Sequence, residues 1–262
     1  MNNLPIGVFD SGFGGLSVFK EIVAALPCES VIYYGDGGNC PYGGRSVEDV
    51  IFLADRVVRF LVERGVKMVV VACNTATAAA ISYLRSSYSI PFVGMEPAVK
   101  PAARQSRSGI IAILATAATL RGGLFLETAE RFSGDVTILS SSGEGFVELI
   151  EAGLENSLEA ELAVRRTVEP LLERGADHLV LGCTHYPFLT DVLLKVIGDR
   201  DVTLVDPAPA IAARVKDVLS ERGELADGSF FPVYSYFCSG DEHYRRRLEE
   251  RGQMILARRG EK

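Results

Sequence analysis

Residues 61–75 read LVERGVKMVVVACNT and residues 171–185 read LLERGADHLVLGCTH, an ungapped internal echo with six identities in fifteen positions. Each copy predicts the same object: a helix end closed by Gly65 or Gly175, a buried strand, and a cysteine at the strand's carboxyl tip. The second copy lies 110 residues after the first, which roughly matches the spacing of two further strand-like runs, 6–9 and 111–114, each followed by a Ser/Thr/Gly-rich turn. Duplication of a half-sized α/β unit accounts for both. Chance recurrence of ordinary helix-strand grammar is the competing explanation. The 262 residues are enough for two such units.

Short apolar, β-branched runs recur at 6–9, 31–34, 68–72, 92–94, 110–114, 136–139, 179–182 and 202–205, with helical spacing between them, as at 47–64 and 158–174. Near-continuous apolar strands alternating with helices predict mainly parallel sheets covered on both faces, the α/β class. Pro91, Pro97 and Pro101, then Pro207 and Pro209, mark two places where the chain could pass between lobes. If the duplicated lobes are related by a pseudo-two-fold axis, equivalent strand tips face one another across a cleft. Two cysteines would then approach one ligand from opposite sides.

Composition narrows the function classes. Cysteine occurs five times, at 28, 40, 73, 183 and 238, with no C-x-x-C pair. An odd, unpaired set argues against a disulfide framework and for a reducing compartment. The N-terminus has no basic, apolar and small-residue succession of a secretory signal, so the cytoplasm is the expected location. A net charge of -7 gives no reason to expect nucleic acid or an anionic membrane as partner. The apolar runs fall far short of the roughly 20 residues that span a bilayer.

Ligands of open α/β sheets collect beyond the carboxyl ends of the strands, where this chain carries DSGFGG at 10–15, CPYGGRS at 40–46, CNT at 73–75 and CTH at 183–185, with Thr116 and Thr119 after another strand. DSGFGG approximates a dinucleotide fingerprint with Asp36 placed to hold a ribose, but Ser17 stands where the last glycine belongs, and Asp10 brings a carboxylate where pyrophosphate needs amides. It reads either as a tight strand-to-helix turn or as Asp10 and Ser11 addressing a cationic or polar group. Cys73 and Cys183 could pack as small hydrophobes. Their positions, each followed by polar residues at an expected helix start, favour thiolates instead. Cys28, Cys40 and Cys238 lack that paired context and read as structural. His185, two residues past Cys183, suits acid/base work better than metal binding, since Cys-x-His alone is half a site. His178 and His243 read as surface histidines, and the arginines at 245–247 and 258–259 as solvated helix faces.

Two thiols, a carboxylate and a histidine, with hydroxyl, amide and backbone donors between them, suit inversion of a stereocentre. One thiolate takes a proton from carbon on one face, and the other thiol delivers one to the opposite face. A free thiol with pKa about 8.5 needs local help to ionise at neutral pH.

At this point the chain resembles the bacterial glutamate racemases of the cofactor-independent aspartate/glutamate racemase superfamily. The resemblance rests on IGVFDSGFGGL, PYGGRS, VACNTATA, VGMEPAVKPA, LATAATL, LVLGCTHYPFL, DPA at 206–208 and CSGD at 238–241, in the family's order and over nearly the whole chain. It implies that Cys73 and Cys183 are the catalytic thiols, with Asp10 supporting Cys73, His185 assisting Cys183, and Glu151 the acidic residue on the second side. It further implies that Asp10, Ser11, Tyr42, Gly43, Asn74, Thr75, Thr184 and His185, with Thr116 and Thr119 as weaker matches, hold glutamate. No cofactor or metal is expected, and the family often forms homodimers. The implied lobes are 1–96 with 208–262, and 97–207, and the implied role is supply of D-glutamate for peptidoglycan. The alternatives are another acidic amino-acid racemase of the superfamily, or a two-lobed amino-acid-binding protein without turnover. The chain departs from the family's usual pattern in the loop DGGNC at 36–40 and at Gly122 and Phe125.

Overall fold

Strands and helices alternate throughout the computed structural model, which describes residues 1–95, 97–132, 134 and 136–257. The chain begins β1 (Ile6–Asp10), α1 (Leu16–Ala25), β2 (Val31–Gly35), α2 (Val47–Glu63), β3 (Met68–Val71), α3 (Asn74–Ser87) and β4 (Phe92–Gly94). It continues through α4 (Val99–Gln105), β5 (Ile110–Ala115), α5 (Ala117–Arg121), α6 (Gly123–Phe132), β6 (Thr137–Ser142), α7 (Phe146–Ala152), α8 (Leu158–Glu173), β7 (His178–Gly182), α9 (Thr190–Ile197) and β8 (Thr203–Val205). It closes with α10 (Ala208–Glu221), β9 (Tyr234–Cys238) and α11 (Glu242–Ala257). Two units result, Met1–Met95 with Ala208–Lys262, and Glu96–Pro207.

Every strand pairing is parallel. The first unit's sheet runs β4-β3-β1-β2-β9, and the second unit's runs β6-β5-β7-β8. Read backwards, the second is β8-β7-β5-β6, the same order as β4-β3-β1-β2. The register repeats as well. Ile6 lies opposite Val31 and Met68, while Ile111 lies opposite Ile138 and His178. Met68 and His178 occupy the same place in the sequence echo, so the two units share strand order and alignment, and β9 is an addition to the first. Residues 234–238 are half-buried at every position, with no apolar run to announce them, which is why the periodicity passes over this edge strand.

The long helices are built alike. Ser46 caps α2 by accepting the Asp49 amide, and Ser157 caps α8 by accepting the Ala160 amide, each with two acidic residues in the first turn. Val50, Leu53, Ala54, Val57, Val58 and Leu61 form the buried stripe of α2, and full burial of each Val or Leu is worth about 1.5–3 kcal/mol. Both helices end at a left-handed residue, Gly65 (φ +74°) and Gly175 (φ +88°), a conformation that costs a side-chain-bearing residue energy.

The residue that begins the approach to each echoed strand is a buried ion of opposite sign. Lys67 pairs with Glu29 at 2.6 Å and donates to the carbonyls of Asn2 (2.6 Å) and Glu224 (2.8 Å). Asp177 accepts from Ser106 Oγ (2.8 Å), the amides of Arg107 (2.6 Å) and Ser108 (2.8 Å), and lies 2.8 Å from His178 Nδ1. His178 is therefore buried at the head of β7, contrary to the surface position expected from sequence; the Asp177 carboxylate supplies the partner that burial requires. His243 is exposed, and Arg245 pairs with Glu242 and Glu249 along α11. Arg258 and Arg259 lie outside the described residues. No helix among the described residues is long and apolar enough to cross a membrane.

Candidate active site

In the first unit the candidate residues gather at the carboxyl ends of β1, β2 and β3. Asp10 ends β1 fully buried, and its Oδ2 accepts the Gly12 amide at 3.1 Å. This closes the turn that the glycines allow, while the Tyr33 hydroxyl donates to Gly12 O at 2.8 Å from below. Tyr33 is a supporting residue that sequence reasoning passes over, because nothing distinguishes it from the other aromatics of a buried strand. Ser11 is buried, with its Oγ 3.7 Å from Cys73 Sγ.

Cys73 follows β3 and is the N-cap of α3. Its sulfur accepts the Ala76 amide at 3.4 Å, the helix-end arrangement that favours negative charge on sulfur. Thr77 fastens the start of α3 by donating to Val71 O (3.1 Å) and accepting the Met95 amide (3.0 Å). Asn74 and Thr75 are buried. Both ends of the Asn74 amide lack a hydrogen-bond partner among the described residues. A primary amide buried in that state carries a cost that a polar ligand would remove.

Asp36 does not present itself to a ribose. Its carboxylate accepts the Tyr42 hydroxyl at 2.5 Å and the Asn39 amide at 3.0 and 3.2 Å. Burial, and then the neighbouring Asp36 carboxylate, push the Tyr42 phenol far above its usual range, so it stays protonated. Gly43 follows in a turn, half-buried. Cys40 is half-buried in the same loop. Cys28 is partly exposed, its thiol donating to Gly228 O at 3.2 Å, and Cys238 closes β9 with its pKa raised by burial.

In the second unit the site residues come from β5, α7 and the turn after β7. Thr116 caps α5, accepting the Thr119 amide at 3.2 Å, and the two hydroxyls lie 2.9 Å apart. Cys183 is buried directly past β7, and the sulfur lies 3.9 Å from His185 Nδ1. On the far side of the ring, His185 Nε2 is 2.6 Å from Glu151 Oε1, carried on α7. Carboxylate, imidazole and thiol thus stand in line, an order that can pass or stabilise a proton. Thr184 is buried between Cys183 and His185 in sequence. Tyr186 is buried against Phe146, and its phenol is raised by burial and then by Cys183.

One local expectation is corrected. Cys183 does not cap an α-helix: residues 183–185 form a turn, a 3-10 segment spans Tyr186–Leu189, and α9 begins only at Thr190. Pro187 has no amide to donate, which suits the short segment. The sulfur's described neighbour is therefore the His185 ring, where Cys73 has a helix amide. Gly122 is a helix boundary residue and Phe125 packs into the core of the second unit.

Known proteins are similar to the chain over most of its length. A family model described as Asp/Glu/Hydantoin racemase matches residues 6–215. The chain is 47% identical over 241 residues to a glutamate racemase of Herpetosiphon aurantiacus, covering 92% of this chain and 94% of that protein. It is similar to the crystal structure of Escherichia coli glutamate racemase in complex with L-glutamate and the activator UDP-MurNAc-ala, with TM-score 0.86, 35% identity, and 96% and 95% of the two chains covered. It is also similar to glutamate racemase from Francisella tularensis in complex with D-glutamate, with TM-score 0.83, 28% identity, and 98% and 95% covered.

Proposed function

Because the chain belongs to the Asp/Glu/Hydantoin racemase family and is a racemase, we propose that it interconverts L- and D-glutamate through the thiols of Cys73 and Cys183. Its proposed setting is the cytoplasm, where D-glutamate would feed peptidoglycan synthesis, and its proposed assembly a homodimer. The substrate assignment is supported by relatives whose names state glutamate racemase and by similar structures holding L- or D-glutamate.

The single observation that carries the mechanism is the equivalence of the two thiols. Each follows the same strand of the same four-strand pattern; the Ala76 amide meets the sulfur of Cys73, and the His185 ring backed by Glu151 meets that of Cys183. In the proposed reaction one cysteine, as thiolate, takes the proton from Cα. The electron pair of the broken C–H bond delocalises into the adjacent carboxylate group, and the other cysteine gives its thiol proton to the opposite face. Thiol and thiolate have then exchanged places, and the reverse reaction uses the exchanged state. The reading requires the two sulfurs to meet opposite faces of one Cα.

The proposed roles rest on the family resemblance, and the His185 and Glu151 contacts support those on the Cys183 side. Asp10 supports Cys73; His185, backed by Glu151, serves Cys183. Ser11, Tyr42, Gly43, Asn74, Thr75, Thr116, Thr119 and Thr184 hold the substrate's carboxylates and ammonium, and the donors among them stabilise the charge that develops as the Cα proton leaves. Every proton in these steps moves between carbon and sulfur, so the proposed steps call on no metal or cofactor. Purified protein given L-glutamate should produce the racemic mixture, and D-glutamate should do the same, with aspartate much slower. Preference for aspartate would move the reading to an aspartate racemase, and saturable binding without turnover to a binding protein.

A further inference from the structure

The Asp36 carboxylate is buried, lies outside the reacting set, and is fully engaged inside its own unit. Its backbone amide donates to Asp10 O at 2.9 Å, which ties it to the end of β1. Its side chain accepts the Tyr42 hydroxyl at 2.5 Å and both Asn39 contacts, at 3.0 and 3.2 Å. The Asn39 carbonyl in turn accepts two bonds from the Arg45 guanidinium, at 3.0 Å from Nε and 2.7 Å from Nη2. Gly37, next to Asp36, lies so close under the Tyr244 ring that a Cβ there would come within 2.1 Å of it. The segment is therefore pinned from the strand side and from α11.

A phenol has one proton to give. That of Tyr42 goes to Asp36, so the side chain is an inward anchor, and its hydroxyl has no proton left for a ligand. The amides of Tyr42 and Gly43 donate to no group among the described residues, which leaves the main chain of this turn as its binding element. We propose that Asp36 is a positioning residue of the active site, holding Tyr42 with the help of Asn39 so that the Tyr42–Gly43 main chain is preorganised for the substrate. This rests on the racemase reading above, in which Tyr42 and Gly43 touch glutamate. It also gives the departing loop at 36–40 a function in this chain, since Asn39 belongs to that loop.

The test compares wild type with Tyr42→Phe, Asp36→Ala, Asp36→Asn and the double variant Asp36→Ala/Tyr42→Phe, by steady-state racemisation of both glutamate enantiomers and by hydrogen exchange of amides 40–46. Tyr42→Phe and Asp36→Ala should each raise KM about 10-fold with kcat within about 2-fold, the signature of lost binding with the chemistry intact. The double variant should be no worse than the worse single variant, because both remove one interaction. Asp36→Asn, whose amide oxygen still accepts the phenol, should recover most of the loss. The Cys40 and Arg45 amides, which donate to Gly37 O and Tyr42 O, should exchange faster in Tyr42→Phe and Asp36→Ala, with the rest of the protein unchanged. Unchanged KM in Tyr42→Phe, a KM rise without faster exchange, or additive losses in the double variant would overturn the proposal. Should Asp36→Ala fail to fold, Tyr42→Phe and Asp36→Asn carry the test. A wild type inactive on glutamate would defeat the racemase reading instead; exchange would then decide the clamp, with faster exchange supporting it and unchanged exchange refuting it.

Discussion

Cys183 and Cys73 are handled by different chemistry although they occupy equivalent places. A helix amide meets one sulfur, and an imidazole backed by a carboxylate meets the other. If Glu151 holds His185 for Cys183, Glu151→Gln should lower kcat/KM about 100-fold, within the usual range for acid/base groups. The fall in kcat/KM is the same from L- and from D-glutamate, because the equilibrium constant between enantiomers is one. An unchanged kcat/KM in Glu151→Gln would contradict the relay. The thiols stand out in sequence because an echo singles them out from three other cysteines. Asp36 with Tyr42, and His178 with Asp177, do not, because their importance arises from burial and from partners in irregular loops such as Ser106 and Asn39, which no periodicity marks.

Elements carry the clearer sequence signals, since strands buried on both faces and capped amphipathic helices have strong local grammar. The ends of α2 and α8 were foreseeable from Gly65 and Gly175, and both adopt the left-handed conformation. Gly65→Ala should cost about 1 kcal/mol in denaturant unfolding with little effect on kcat, since the site lies at the other end of β3. An unchanged midpoint would show that the C-terminal cap is dispensable. Two elements escaped: β9, whose half-buried residues lack an apolar run, and the 3-10 segment after Cys183, where THYP reads as a helix start but forms a turn first.

At the level of the whole molecule, the duplication argued from fifteen residues extends to four strands in each unit, matched in order and register. Stability should show the opposite charges, Lys67 and Asp177, that precede the two echoed strands. Burial works against the Asp177 carboxylate, but hydrogen bonds from His178, the Ser108 amide, Ser106 and the Arg107 amide outweigh it and hold its pKa well below the usual value. A lowered folded pKa means that this stabilisation is complete above the unfolded carboxyl value of about 4 and is lost as pH falls through the lower folded value. Asp177→Asn should therefore destabilise the protein by about 2–3 kcal/mol at neutral pH and flatten its stability profile below about pH 4. A profile parallel to wild type in acid would refute that assignment. The net charge of -7 offers an anionic substrate no long-range attraction, so on the proposed reading affinity for glutamate comes from local amides and hydroxyls such as the Asn74 amide, whose two ends have no partner among the described residues. The most direct test of the two-thiol account is racemisation in D2O by wild type, Cys73→Ser and Cys183→Ser, followed by chiral separation and mass spectrometry. The account predicts Cα deuterium and a racemic product from either enantiomer with wild type, and loss of racemisation in each variant; full racemisation by either variant, or none with deuterium by wild type, would contradict it.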